Sequence, residues 1–521
     1  MSFFDTDFFD CNVNNYIEIS ASLINFPENF LLENKFGLYV RGLDKKTLRI
    51  IDDVISDKFS DEIIPVITIK LIVNKTLEPQ WYVTNNRNED KLITSADRGR
   101  LNCYMISDYI DSHFSWNKGN PLYTLLRSTT SIDETQNNNI IIECLRDAKR
   151  EIDKIGFDNL NEVTSLVKEE AEILGLNIID IKTTLDSREL SIKDGRISLH
   201  ENSIPFRLKG KGAKRLASIA IQAVHVQTGG IMLIDEIEQG LEPDRIMQIA
   251  KALKENSVGQ IFISTHSREA ICELGAEPLL LLLKNELTDE ILAKKLSFTD
   301  SKLQGAIRAC PEAFFAQKVI VCEGATEVGI CRALDSWRKL NNKPSMSFQN
   351  CAYVDGKGNT LIDRVDTINE VGILMAVLCD SDCSEVNDLK SGWTNNGVTI
   401  FDCESDLCFE RQVFRDLPWA AILESVDYVI KVHKKTEESL VDSLKSKFPD
   451  KNRFPKNWKI SDTPEMRETL AKASIVREKE WFKSIHHGEA LGNIIFKFFN
   501  DIRPTTRLCQ ILTTLSNWVD A

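Results

Sequence analysis

Two short acidic stretches hold the residues best suited to chemistry. KVIVCEGATEVG, residues 318–329, carries Glu323 and Glu327, and MAVLCDSD, residues 375–382, carries Asp380 and Asp382. Each begins as a run of β-branched and apolar residues of buried-strand type and ends in acids. In an open α/β sheet the carboxyl ends of the strands face the ligand crevice, so the two pairs are expected to meet there. Four carboxylates converging on one edge cannot all stay ionised without a counter-charge. A hard, oxygen-seeking cation such as Mg2+ or Mn2+ supplies it. Between the two stretches, YVDGKGNTLI, residues 353–362, closes another strand at Asp355. Its glycines also suit a tight turn, so Asp355 is expected to be a supporting residue.

A second set lies upstream. In GGIMLIDEIEQGLEP a strand over 231–234 leads straight into Asp235 and Glu236. That pair suits a metal-nucleotide site, Asp235 holding Mg2+ through water and Glu236 orienting an attacking water. QIFISTHS, a further strand, delivers His266. ISLHENSIPFRLKGKGAKRLASIAIQAV reads as a polar turn followed by an amphipathic helix from near Ala213. Gly210, Lys211 and Gly212 there can offer backbone donors and positive charge to a phosphate. No GxxxxGK[ST] loop occurs in the chain, so the usual phosphate cradle is absent from it.

The elements that position these residues follow from periodicity. IEISASLI (17–24) and ITIKLIVN (67–74) alternate as half-exposed strands. From 96 to 180 the pattern turns helical, with Leu122, Leu125 and Leu126 and then the charged run ECLRDAKREIDKIGFDNLNEVTSLVKEEAEILG, broken near Gly156. Strand patterns return with LNIIDIKTTL, and past 420 the chain is mostly helical.

EGATE followed by DSD resembles a TOPRIM domain, the metal-binding module of topoisomerases, primases and some nucleases. The chain as a whole is similar to the OLD (overcoming lysogenization defect) family, in which an ABC-type ATPase precedes a TOPRIM nuclease. The resemblance implies an α/β fold, an ABC-type ATPase sheet domain with a helical insertion followed by a TOPRIM domain with a helical tail. The boundaries are then 1–95 for the first part of the ATPase, 96–180 for the insertion and 181–305 for the second part of the ATPase. TOPRIM takes 315–420 and the helical C-terminal region 421–521. The insertion would be a dimerisation arm.

In TIFDCESDLCFERQVF the family's closing acidic segment is matched best by Glu410, with Glu404 and Asp406 as competitors. Lys483, in WFKSIHHGEALGNIIF, resembles a tail lysine near the metals. The implied catalytic set is Glu323, Glu327, Asp380, Asp382 and Lys483, and the metal ligands are the four acids with Glu410. Lys211 and Gly212 fall where an ABC ATPase has its signature motif, and His266 where it has its switch histidine. With Asp235 and Glu236 they form the implied nucleotide site. The opening FFDTDFFDCNVNNYIEISASL resembles the part that follows the phosphate loop, so the sequence looks shortened relative to the family. ATP is a candidate cofactor beside Mg2+ or Mn2+, yet without that loop little turnover is expected.

Composition sets the outer limits. At 521 residues, 42% hydrophobic and 27% charged, the chain is long enough for two or three domains with ordinary cores. No leader-like or membrane-spanning apolar run appears, so a cytoplasmic protein is expected. Thirteen scattered cysteines suit a reducing compartment. Cys379, Cys383, Cys403 and Cys408 are spaced too loosely for a structural zinc site and read as buried thiols. A net charge of −14 argues against whole-surface attraction to nucleic acid but allows a local basic track. Arg207, Lys209, Lys211, Lys214 and Arg215 form one cluster. Lys445, Lys447, Lys451, Arg453, Lys456 and Lys459 form another, interleaved with Phe448, Phe454 and Trp458 as stacking candidates; Lys451, Arg453 and Lys456 are the DNA contacts expected there. His486 and His487 are adjacent, so they do not share a helical face.

The function expected is divalent-metal-dependent cleavage or nicking of DNA, in defence against phage or foreign DNA. The partners expected are DNA, a second copy of the chain or a higher homo-oligomer, and a defence-system protein or nucleic acid. The alternative is a nucleotide-responsive structural or sensor subunit without cleavage activity.

Overall fold

Strand pairing divides the chain into a first part with both antiparallel and parallel sheets and a second built on a parallel sheet, with one antiparallel pair, Leu280–Lys284 and Ile291–Lys295. In this computed structural model residues 3–521 are described, except 53–58, 117–119, 130–157, 186–196, 228, 257–258, 285–287, 289, 297–300 and 435. They form two compact units, Met1–Thr265 and His266–Ala521.

The first unit opens with an antiparallel sheet. Strand β1 (Ile17–Leu23) pairs with the second half of the long strand β3 (Ile63–Val73), and β2 (Arg41–Asp44) with its first half. Strand β4 (Pro79–Thr84) runs along the other side of β3. Alternation in IPVITIKLIV turns Ile67 and Ile69 inward, where they meet Phe30, Phe36 and Val83.

Beside it is a three-stranded parallel sheet, β5 (Cys103–Ile106), β6 (Ile231–Ile234) and β7 (Gln260–Ile263), in the order β7–β6–β5. This corrects the reading of 96–180 as a helical insertion throughout. CYMI is too short for its period to stand out, and it takes its conformation by pairing with β6. Helices α1 (Pro121–Thr129) and α2 (Asp158–Ile173) follow it. Both pack on α3 (Lys211–Gln227), burying Leu122, Leu125, Leu160, Val163 and Val167. The middle of the expected arm, including Gly156, lies outside the described residues.

The second unit is built on four parallel strands, β8 (Lys318–Cys322), β9 (Cys351–Asp355), β10 (Leu374–Cys379) and β11 (Thr399–Asp402), in the order β9–β8–β10–β11. Helices α4 (Ala325–Leu340), α5 (Leu361–Val371) and α6 (Ser384–Asn395) connect them, and α7 (Phe409–Asp416) follows β11. Both sheet faces are covered, as a parallel sheet requires. Ile320, Cys322, Ala376 and Leu378 point to one core, and Val319, Val321, Met375 and Val377 to the other. The latter core also takes in Ile271, Leu303 and Ile307, so the segment after His266 packs with the strands of this sheet, whereas the sequence places 181–305 in the ATPase. Its short amphipathic helices carry no mark of which sheet they cover.

The tail returns to the sheet through α8 (Trp419–Val432), α9 (Ile485–Lys497) and α10 (Arg507–Asp520). Helix α9 lies backbone to backbone on α4. A Cβ on Gly488 would sit 2.5 Å from the Thr326 carbonyl oxygen, and one on Gly329 2.3 Å from the Glu489 nitrogen. Gly492 faces Ala333 one turn further on. At α10, the fully buried Arg338 donates to the Ser516 carbonyl at 2.7 Å and to its Oγ at 2.8 Å, and pairs with Asp520.

Gly488→Ala therefore has no room without separating α4 from α9. Overpacking of this kind costs about 1–3 kcal/mol, which is expected to lower the melting temperature by roughly 2–12 °C. Thermal unfolding followed by circular dichroism checks it, and an unchanged midpoint would show that the two helices part freely.

Candidate metal centre

The carboxyl edge of the second sheet gathers the acids. Glu323 follows β8 and its N–H donates to the Leu378 carbonyl at 2.9 Å, tying it to β10 just before Asp380. Glu323 Oε2 accepts the Asp380 N–H at 2.7 Å. Asp380 Oδ1 accepts the Phe409 N–H at 2.8 Å from the start of α7, which bears Glu410 in its first turn. Glu327 caps α4, its Oε2 accepting the Gly324 N–H at 2.9 Å. The Thr326 hydroxyl lies 3.1 Å from Glu410 Oε1 and 3.2 Å from the Phe482 carbonyl. Having one hydrogen, it serves one of these acceptors at a time.

Glu327, Asp380 and Glu410 are buried, Glu323 is half-buried and Asp382 is exposed. Burial pushes the Glu327 carboxyl up to about 8, with the Glu410 charge adding to it. Burial likewise holds Asp380 well above the usual carboxylate range, reinforced by Glu327, Glu323, Glu410 and Asp382. Glu323 is raised by burial and by Asp382, against the opposing pull of the Asp380 N–H, Lys483 and Lys390. Lys483 immediately precedes Ser484, the residue capping α9. Desolvation works against its ammonium, but Glu410, Glu327, Asp380 and Glu323 together raise its pKa.

Sequence-predicted residues are thus brought together at this edge: Glu323, Glu327, Asp380, Asp382, Glu410 and Lys483. Glu404 instead pairs with Arg415, and Asp406 is exposed at a left-handed position (φ 63°), which separates Glu410 from its competitors. Asp355 ends β9, and its Oδ1 accepts the Lys357 N–H at 2.7 Å, a turn role. The donors suit a hard divalent cation, being all carboxylate oxygens. Among the described residues no three His, Cys, Asp or Glu side chains are drawn close enough to hold an ion in their present rotamers. Glu323, Glu327 and Asp380 each have one oxygen engaged by a backbone amide. Of the four thiols expected to be buried, Cys379, Cys403 and Cys408 are free and buried, whereas Cys383 is free but only half-buried.

In the first unit, Asp235 and Glu236 stand exposed at the end of β6. The Ser264 hydroxyl donates to Asp235 Oδ1 at 2.7 Å and accepts the Glu236 N–H at 2.8 Å. Lys211 and Gly212 open α3 against the following turn, where a Cβ on Gly212 would lie 2.6 Å from the Gly240 carbonyl. Gly212 is thereby required by close packing. His266 begins the second unit, its ring 6.3 Å from that of Phe315.

Both basic clusters need correction. Lys209 pairs with Glu201 and Lys214 with Asp111, while Arg215 is buried and donates to the carbonyls of Ser107, Asp235 and Glu236. In the tail Trp458 is buried, and Phe448 and Phe454 meet edge to face and pack together against the core. Those aromatics bury apolar area and are not presented for base stacking. Lys451, Arg453 and Lys456 are exposed.

Arg215 and Lys390 escape a reading of the sequence as site residues. Arg215 shares a helical face with Ser218, Ile219 and Gln222, all fully buried, and Lys390 shares one with the buried Val386 and Trp393. A cation on an otherwise inward face is the available signal.

The comparisons agree with this architecture. A family profile described as an AAA domain linked to the AbiEii toxin of a type IV TA system matches residues 83–272. The profile described as the TOPRIM domain of overcoming lysogenization defect protein-like proteins matches residues 314–382. The chain is an AAA-type ATPase domain followed by an OLD-like TOPRIM domain, the arrangement of an OLD-family ATPase–TOPRIM fusion. No curated protein matches it. Solved structures similar to parts of it include an Smc head bound to the C-winged helix domain of ScpA, at 14% identity and TM-score 0.31, covering 54% of this chain and 75% of that one. The SMC head domain from Thermotoga maritima matches at 14% identity and TM-score 0.22, covering 44% and 70%. RecF with ATPrS matches at 12% and 0.23, covering 39% and 72%. With TM-scores this low, the fold rests on the profiles and on the sheet topology.

The buried acids make a signed prediction. Glu327 has a folded-state pKa of about 8 against an ordinary 4.5, so its contribution to stability is full below about pH 4.5 and is lost as pH rises through about 8. In EDTA, Glu327→Gln is expected to melt several degrees above the parent at about pH 8 and to flatten the fall in melting temperature between about pH 5 and 8. Mg2+ should raise the parent's midpoint more than the variant's. A variant less stable than the parent at about pH 8 would contradict the assignment of strain to this carboxyl.

Proposed function

We propose that the protein is a divalent-metal-dependent DNA endonuclease or nickase of the OLD type, acting in defence against phage or other foreign DNA. The observation that carries this reading is the convergence of Glu323, Glu327, Asp380 and Glu410 beside Lys483, at the carboxyl edge of an OLD-like TOPRIM sheet. Glu323, Glu327, Asp380, Asp382 and Glu410 would hold Mg2+ or Mn2+, and Asp355 supports the adjoining turn. When bound, the ion supplies an activated water and positive charge for the scissile phosphate.

The chain's own residues do the rest. The Asp380 and Phe409 amides orient Glu323 and Asp380, and the Gly324 amide holds Glu327 Oε2, leaving Oε1 to carry its proton until that proton is displaced. Lys483, exposed at the rim, meets charge that builds on the phosphate in the transition state. Lys451, Arg453 and Lys456 contact the DNA backbone. Asp235, Glu236, Lys211 and Gly212 are the nucleotide-site residues of the first unit. The protein acts as a homodimer or higher homo-oligomer, joined by a defence-system partner. The free state of the described cysteines suits a cytoplasmic setting, and no helix among the described residues is long and apolar enough to cross a membrane.

Cleavage of supercoiled plasmid with Mg2+ or Mn2+ tests the reading. Asp380→Ala is expected to abolish cleavage while keeping the circular dichroism spectrum, and equal activity of the two proteins would refute the assignment. Lys483→Ala should cut the single-turnover rate by about 100-fold or more with little change in binding. Weaker binding at an intact rate would make Lys483 a tethering residue.

Replacing Lys451, Arg453 and Lys456 with Gln should flatten the dependence of log K on log salt by about 0.9 for each duplex phosphate that is no longer neutralised. An unchanged slope across a salt series would remove these cations from the DNA interface.

A further inference from the structure

Lys390 lies on α6, and its side chain is only 14% exposed. Its Nζ donates to the Asp380 carbonyl at 3.1 Å, to Ser381 Oγ at 3.1 Å and to Asp402 Oδ2 at 3.0 Å. An ammonium has three N–H donors, so all are engaged. Asp380 is consequently fixed at three points. Its N–H is held by Glu323 Oε2, its Oδ1 by the Phe409 N–H and its carbonyl by Lys390. Asp402 is in turn anchored by Arg507, whose Nε donates to its carbonyl at 2.8 Å and whose guanidinium pairs with its carboxylate. The ion pairs therefore run from the last helix, through Asp402 and Lys390, to the backbone of the acid loop.

We propose that Lys390 is a positioning residue for the metal centre. It fixes the Asp380 peptide, and with it the aim of the Asp380 carboxylate, and it sets an ammonium behind the clustered acids. Three acceptors disposed around one nitrogen suit a compact ammonium better than the planar fork of arginine. This inference rests on the nuclease reading, because it concerns the geometry of that same centre.

Lys390→Met removes the donors but leaves Asp402 paired with Arg507, so no buried carboxylate loses its only cation. Outer partners of metal ligands typically contribute 10–100-fold, and the single-turnover cleavage rate is expected to fall by about that factor. The KM for DNA should stay within about two-fold, and Mn2+ affinity of the DNA-free protein, read by isothermal titration calorimetry, should fall several-fold. Lys390→Arg, which keeps the charge in a different geometry, should recover only part of the rate. A folded Lys390→Met protein with the parent's rate and Mn2+ affinity would overturn the proposal. Should that variant not fold, Lys390→Arg decides, a rate equal to the parent's overturning it. Asp380→Ala, assayed alongside, separates the two levels. If it cleaves like the parent, the nuclease reading fails; if it is inactive while Lys390→Met is unimpaired, only the role of Lys390 fails.

Discussion

Mutual repulsion among buried carboxylates is the constraint on which the second unit depends. Glu327, Asp380 and Glu410 lie out of water at one sheet edge, with Glu323 half-buried beside them. Burying like charges together is unfavourable by several kcal/mol unless protons, cations or amides offset it. All three means are present. Glu327 and Asp380 are pushed toward their neutral forms, Lys483 and Lys390 approach from distant parts of the sequence, and backbone N–H groups take one oxygen of Glu323, Glu327 and Asp380. Such an arrangement holds free energy that a divalent cation can release on binding. Active sites commonly sacrifice stability in this way.

The scaffold is correspondingly rigid where it presents these groups. Alternating side chains bury β8 and β10 on both faces, so the residues just beyond their ends have little freedom. The tail then brings the cation. Glycines on α4 and α9 allow a backbone-to-backbone approach that branched side chains would forbid, and Lys483 stands just before α9 begins. A residue distant in sequence is thus placed by helix packing as firmly as a strand end is placed by hydrogen bonds.

Much of this is legible in the sequence because buried strands followed by acids leave a local trace. Glu323, Asp380, Asp235 and Glu236 need only the apolar run before them. What is not legible depends on burial. Arg215 reads as part of a basic surface cluster, yet it lies inside and secures the backbone of Asp235 and Glu236. Phe448, Phe454 and Trp458 have the composition of a stacking platform, but the helical tail needs them for its own core. Strand β5 has four residues, too few for periodicity, and exists through its pairing with β6. In each instance tertiary contact overrides a local pattern.

The central claim is that these carboxylates form a site for divalent cations, and locating the ion tests it most directly. Crystals of the protein soaked in Mn2+ would be measured with X-rays chosen for manganese anomalous scattering. The account predicts one or more anomalous peaks enclosed by Glu323, Glu327, Asp380 and Glu410, with the carboxylates turned from their amide partners toward the ion. No peak at this edge under saturating Mn2+, with the Asp235–Glu236 edge occupied in the same crystals, would contradict it.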